Sequence, residues 1–129
     1  MGQQDRVVLL ANSEDSLQRQ DEILQRFRGH GVDGVILCPA EGTDIELPKR
    51  MQRWRLPVVQ ALREVGQGQT DYAGADYVEG VCLALRHLVA IGHKHIAFLS
   101  VRARTSAREE RLRGFATALA ETQAMNAGI

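Results

Sequence analysis

The sequence predicts an α/β fold built around a parallel sheet, and three features carry that expectation. Short, unbroken apolar runs at residues 7–11, 32–37 and 57–62 have the length and the lack of alternation of strands covered on both faces. Between them lie longer stretches with apolar residues at helical spacing. The two patterns alternate along the chain, which in a compact domain means right-handed βαβ units. A chain of 129 residues, 44% hydrophobic and 25% charged, has the composition of an ordinary globular protein and room for one domain.

Val7-Val8-Leu9-Leu10-Ala11 predicts the first strand, and Asn12-Ser13-Glu14-Asp15 a turn with helix-capping chemistry. Residues 16–28 predict a surface helix with Leu17, Ile23, Leu24 and Phe27 on one side, stopped by Gly29-His30-Gly31. Residues 32–37 predict a second strand, residues 40–48 a loop or a weak helix start, and residues 48–54 a short helix with Met51 and Trp54 inward. A third strand follows at 57–62, then a loop at 64–70 with Gly66 and Gly68, then a short fourth strand at 72–75. Asp76, with Glu79 three residues on, reads as a capping box that opens a helix. Val78, Val81, Cys82, Leu85, Leu88 and Val89 give that helix a buried face, and Gly92 supplies its left-handed stop. Residues 95–101 predict another strand. Thr105 or Ser106 then starts a last helix, with Leu112, Phe115, Ala116 and Leu119 as its buried stripe and a fraying tail at 122–129.

Several function classes are excluded on physical grounds. Lys+Arg and Asp+Glu number 16 each, and a zero net charge argues against this segment itself gripping nucleic acid. No apolar run reaches the roughly 18 residues of a membrane span, and the polar opening Met1-Gly2-Gln3-Gln4-Asp5 is not a signal peptide. Cys38 and Cys82 read as buried free thiols of a cytosolic protein. His93 and His95 lack a Cys or carboxylate at ligand spacing, so no metal is expected. Gly66-x-Gly68 is not a dinucleotide fingerprint, and neither a phosphate-binding loop nor a nucleophile elbow is present. Glu14-Asp15 suggests the acidic pocket of a phosphoacceptor domain, but Cys38 stands where the phosphorylated aspartate would be needed. A small α/β enzyme should show a catalytic pair, and none is found; neither a catalytic residue nor a cofactor is expected.

Six short pieces, in order and at fitting spacing, resemble the effector-binding domain of the LacI/GalR family of bacterial transcription regulators. They are Asp76 with Gly80, then Gly92-His93-Lys94-His95-Ile96-Ala97, then Glu110-Arg111-Leu112-Arg113-Gly114-Phe115, preceded upstream by Leu10-Ala11-Asn12-Ser13-Glu14-Asp15, by Val32-Asp33-Gly34-Val35-Ile36-Leu37 with Pro39, and by Leu56-Pro57-Val58-Val59. The resemblance covers about residues 7–121. It implies a periplasmic-binding-protein-like, type I lobe, with residues 1–92 forming the N-terminal lobe and 93–129 beginning a C-terminal one. It also implies that a helix-turn-helix, one strand and one helix of the family's pattern precede this region. Strands 7–11 and 32–37 would each then lack a pairing partner.

The same resemblance implies a function: binding a small effector, a sugar or related metabolite, in a cleft between lobes, and so modulating the DNA affinity of a cytoplasmic homodimer. Operator DNA would be touched only through the helix-turn-helix domain. The alternative is a periplasmic sugar- or solute-binding protein of a transporter. The expected ligand contacts are Arg111, Asp76, Tyr77, Glu79 and Arg63. Arg111 stands near the start of a helix that follows a strand, where open α/β sheets bind ligands, and its fork suits hydroxyls or a carboxylate. Asp76 can cap its helix and still face the cleft, and Tyr77 can stack on a ring or pack. Arg63 follows a strand; the family often has an aspartate and arginine there, but Ala61-Leu62-Arg63 retains only the arginine.

Overall fold

The computed structural model describes residues 6–127, with side chains described through Gln123. The elements run α1 (Leu17–Gly29), β1 (Val35–Leu37), α2 (Glu46–Arg53), β2 (Val58–Ala61), β3 (Asp71–Ala73), α3 (Tyr77–Ala90) and α4 (Ser106–Ala127). The three strands form one parallel sheet in the order β1-β2-β3, with Val35 opposite Val58 and Gln60 opposite Tyr72.

Local chemistry sets the helix ends. Ser16 accepts a hydrogen bond from the Arg19 N–H and caps α1. At its other end the Val32 N–H reaches Phe27 O around Gly31, whose φ is +67°. Asp76 caps α3 through the Glu79 N–H at 2.9 Å. The predicted stop at Gly92 has φ +96°, and the His93 N–H closes back on Leu88 O. Only half of the predicted capping box forms, because the Glu79 carboxylate turns instead to Arg86, 3.3 Å away.

Leu24 of α1, Leu47 and Met51 of α2, Leu56 and Val35 build the main core, with Phe27, Leu37, Trp54 and Val58 packed against it. Leu24 and Met51 are each only 1% exposed, and burying such a side chain is worth about 1.5–3 kcal/mol. Trp54 ties the two helix ends together, with the guanidinium groups of Arg28 and Arg50 at 4.8 and 5.1 Å from its ring centre. A second cluster joins α3 to α4 through Cys82, Leu85 and Ala118, flanked by Val78, Ile96 and Phe115. Close approach depends on Gly114: a Cβ there would stand 2.5 Å from Val78 O.

The structure corrects several expectations. Residues 7–11 form no strand and lie open, Leu10 being 96% exposed. A strand exists only with a ladder partner, and β1 pairs on one side alone, with β2. Residues 95–101 likewise form no ladder, although they do stay out of the sheet, and Leu99 is 97% exposed. The stripe expected on α4 is displaced: Leu119 and Ala116 are exposed, while Ala107, Gly114 and Ala118 are buried. Small residues face α3 because the two helices approach too closely there for large ones. Leu17 is exposed on α1. Cys38 is exposed and Cys82 buried, both as free thiols. The expected fraying at 122–129 gives way to helix through Ala127; residues 128–129, like the opening Met1–Asp5 stretch, lie outside the described residues. Among the described residues no helix is long and apolar enough to cross a membrane.

Candidate functional site

The carboxyl ends of the three strands gather the polar chemistry. After β1 come Cys38 and Pro39; after β2, Leu62, Arg63 and Glu64; after β3, Asp76 and Tyr77 at the start of α3. The start of α4 meets the same edge, since the Glu64 N–H donates to Ser106 Oγ at 2.8 Å. A concavity of about 220 Å³ lies between these loops, lined by Pro39, Thr43, Arg63, Glu64, Arg104 and Ser106 among others. A larger groove, about 550 Å³, opens at the amino ends of β2 and β3 beside Gln52, Arg55 and Asp71. The smaller one is the better candidate, because ligands of open α/β sheets sit beyond the carboxyl ends of the strands.

Arg63 organises this edge. Its guanidinium donates to Asp15 Oδ1 at 2.6 Å and to Pro39 O at 3.2 Å. Asp15 in turn accepts from the Glu41 N–H at 2.8 Å, and Glu41 accepts from the Arg104 N–H at 2.9 Å. Four loops distant in sequence are thus fastened by one chain of contacts. The hydrogen bond from Arg63, then the Glu41 N–H, holds the Asp15 carboxyl below its ordinary pKa; the same bond raises that of Arg63.

Arg111 stacks on Tyr77, its guanidinium carbon 4.3 Å from the ring centre. Among the described residues it makes no hydrogen bond or ion pair, so its five donors are held over an aromatic face and left unengaged. Tyr77 is half-buried beneath it. Tyr72 lies close by: partial burial first, then the negative charge of Glu110, raises its phenol pKa.

The structure therefore brings Arg111 and Tyr77 into contact and puts Arg63 and Asp76 on the same edge of the sheet. Asp76 spends one oxygen on the α3 cap. Glu79 is drawn along α3 to Arg86, which also forks onto Glu121 of α4 at 3.0 and 3.1 Å, so it braces two helices rather than facing the edge. Sequence reasoning missed Asp15, Glu41, Ser106 and Leu62. The capping-type turn at 12–15 flagged Asp15 without its partner 48 residues away. Nothing local marked Ser106 as the acceptor for a loop N–H.

Strand order, parallel pairing and the convergence of loops define one α/β lobe of the periplasmic-binding-protein type. The chain belongs to the family described as periplasmic binding proteins and sugar binding domain of the LacI family, whose profile matches residues 2–124. It is 29% identical over 116 residues to the maltose regulon regulatory protein MalI of Escherichia coli, covering 88% of this chain and 33% of that protein. It is 32% identical over 124 residues to the transcriptional regulator PtxS of Pseudomonas plecoglossicida, covering 95% and 35%. Among solved structures, a putative ribose operon repressor from Burkholderia thailandensis superposes with a TM-score of 0.80 at 30% identity, over 89% of this chain and 44% of that one. The Cra regulator of Pseudomonas putida, in complex with fructose 1-phosphate, superposes at 0.78 and 22% identity, over 86% and 41%, and shares the fold. The chain spans about a third of the length of the curated relatives it matches.

Proposed function

We propose that this chain is the effector-sensing part of a bacterial LacI-type transcription regulator. Residues 1–92 belong to its first lobe and 93–129 begin the second, and a sugar or related metabolite binds between them. Closure on the effector biases a cytoplasmic homodimer whose helix-turn-helix segments hold operator DNA. Such a switch works only if the effector binds the open and closed states with different affinity. The chain performs no catalysis in this reading.

The observation that carries the reading is Arg111: a guanidinium stacked on Tyr77, unengaged, at the carboxyl edge of a parallel sheet. Arg63, Asp76 and Tyr77 join it as the proposed contacts, and Glu79 serves as a brace. Relatives named for the maltose regulon, a ribose operon and a fructose 1-phosphate complex support a carbohydrate-like effector. The test is calorimetry of the intact regulator against aldopentoses, aldohexoses and their phosphates, with a gel-shift assay on DNA from its own promoter. Binding by one of them together with a changed DNA affinity is the expected result. Saturable binding that leaves DNA affinity unaltered would favour a transport-type solute binder, and no binding by any of them would remove the reading.

A further inference from the structure

We propose that Leu62 is a specificity-determining residue of this cleft, and that the effector presents an apolar group to it. The proposal deepens the sensor reading above and rests on it.

Leu62 follows the last residue of β2, the middle strand of the sheet. Its N–H continues the ladder to Ala73 O at 3.1 Å. The next N–H, that of Arg63, turns back onto Ala61 O at 2.7 Å, and Leu62 between them has φ +65°. An i to i+2 bond closed over a residue of positive φ is the rare, strained form of γ-turn. Glycine takes that backbone without strain, and asparagine or aspartate tolerate it through local hydrogen bonds. Leucine has neither advantage.

Among the described residues four non-glycine ones have positive φ, and the other three have local reasons. Arg55 ends α2 in a helix-stop motif, with the Leu56 N–H reaching Met51 O and the Arg55 N–H reaching Gln52 O. Glu14 and Asp15 share a turn held by Asn12 Oδ1 on the Glu14 N–H and by the Asp15 contacts to Arg63 and Glu41. The turn at 62 has a backbone purpose, since it aims Arg63 at Asp15 and Pro39. That purpose explains the turn and leaves the leucine unexplained.

Packing does not explain the side chain either, because Leu62 is 55% exposed. Counted on from the ladder register, its flanks are Pro39 and Gly74, so neither neighbouring strand end sets a long side chain beside it. A strained backbone carrying an exposed apolar side chain, at the carboxyl edge of the central strand and next to Arg63, fits a group that is covered when the site is filled. Arg111 supplies donors at the start of α4 and Leu62 an apolar contact, which together suit an amphipathic effector: hydroxyls or an anion on one side, and a methyl or deoxy carbon on another.

The experiment uses the intact regulator with Leu62→Asn and Leu62→Gly, and has two arms. In thermal melts neither variant should melt below wild type, because both residues fit the backbone better. A drop of more than about 4 °C in both would make Leu62 a packing residue and overturn the proposal. In calorimetry the probes are matched pairs: D-glucose with 6-deoxy-D-glucose, D-galactose with D-fucose, D-ribose with 5-deoxy-D-ribose. The deoxy member of the pair that binds should bind at least about fivefold tighter to wild type, because the hydroxylated member would bury an unpaired hydroxyl against the leucine, and Leu62→Asn should erase or reverse that preference. A tighter hydroxylated member, or a preference that survives Leu62→Asn, overturns this proposal while the sensor reading stands. Failure of every probe overturns this proposal, and the sensor reading falls with it only when the sugar phosphates fail as well.

Discussion

Arg111→Ala separates a ligand-binding arginine from a helix-surface one. Among the described residues this side chain's one partner is the Tyr77 ring at 4.3 Å. A half-exposed cation–π contact is worth about 0.5–1 kcal/mol, so the variant should stay folded and melt only slightly lower. The loss of binding should be larger. If the guanidinium fork holds effector oxygens, truncation leaves those groups buried without donors, at about 1–3 kcal/mol per group. At about 1.4 kcal/mol per factor of ten, affinity should fall on the order of tenfold to a hundredfold. Arg113→Ala is the control: Arg113 is exposed and lies about 200° around the helix from Arg111. Tyr77→Leu should fall between, since it keeps apolar bulk and removes the platform that orders the fork. Calorimetry on the intact regulator, with circular dichroism to confirm folding, decides the matter. Equal affinity in wild type, Arg111→Ala and Arg113→Ala, all folded, would refute the reasoning.

Gly114→Ala should destabilise by at least about 1–3 kcal/mol in urea unfolding, because the new Cβ meets backbone, Val78 O at 2.5 Å, rather than a movable side chain. Gln60→Leu should cost about 1–3 kcal/mol for each buried backbone group it strands, since the buried Gln60 amide bridges Val65 N–H, Val65 O and Thr70 Oγ; hydrogen exchange should quicken first in residues 64–70. Asp15→Asn tests the loop clamp by pH. The Asp15 pKa is lowered in the fold, so its contribution is present above the ordinary carboxylate value of about 3.9 and is lost as pH falls through the depressed one. The wild-type acid limb should therefore be steeper than the variant's below about pH 3.9, and identical limbs in both would argue that the pair contributes nothing to stability.

What the sequence disclosed follows from the range of the interactions involved. Three helix ends were legible because their signals are local: Gly31, Asp76 and Gly92 act within four or five residues of themselves; the α1 cap fell one residue past the expected capping turn at 12–15, on Ser16. Residues 7–11 and 95–101 have strand-like composition, but a ladder is a non-local contact that composition cannot guarantee. The α4 stripe was misread because apolar periodicity marks the largest side chains, whereas close helix contact selected Gly114 and Ala118. At the site, Arg63, Asp76, Tyr77 and Arg111 could be picked out by residue type and position. Asp15 could not, since its role depends on a partner 48 residues away. Leu62 could not either, because a leucine after a strand gives no hint of a positive φ.

The distribution of contacts also indicates where this lobe can move. The side bearing α1 and α2 is held by the buried cluster of Leu24, Leu47, Met51 and Leu56, which no small displacement leaves intact. Among the described residues the carboxyl edge has no comparable apolar seam. Asp15, Arg63, Glu41 and Arg104 hold it through exposed or half-exposed polar contacts between loops. Such contacts are individually worth little in water, about 0–1 kcal/mol each for ion pairs, and they exchange readily for contacts to a ligand. Local opening free energies follow this contrast, low where backbone is exposed and high in the core. The edge can therefore reorganise around a ligand while the layer beneath it stays fixed, as the proposed coupling of effector binding to lobe closure requires.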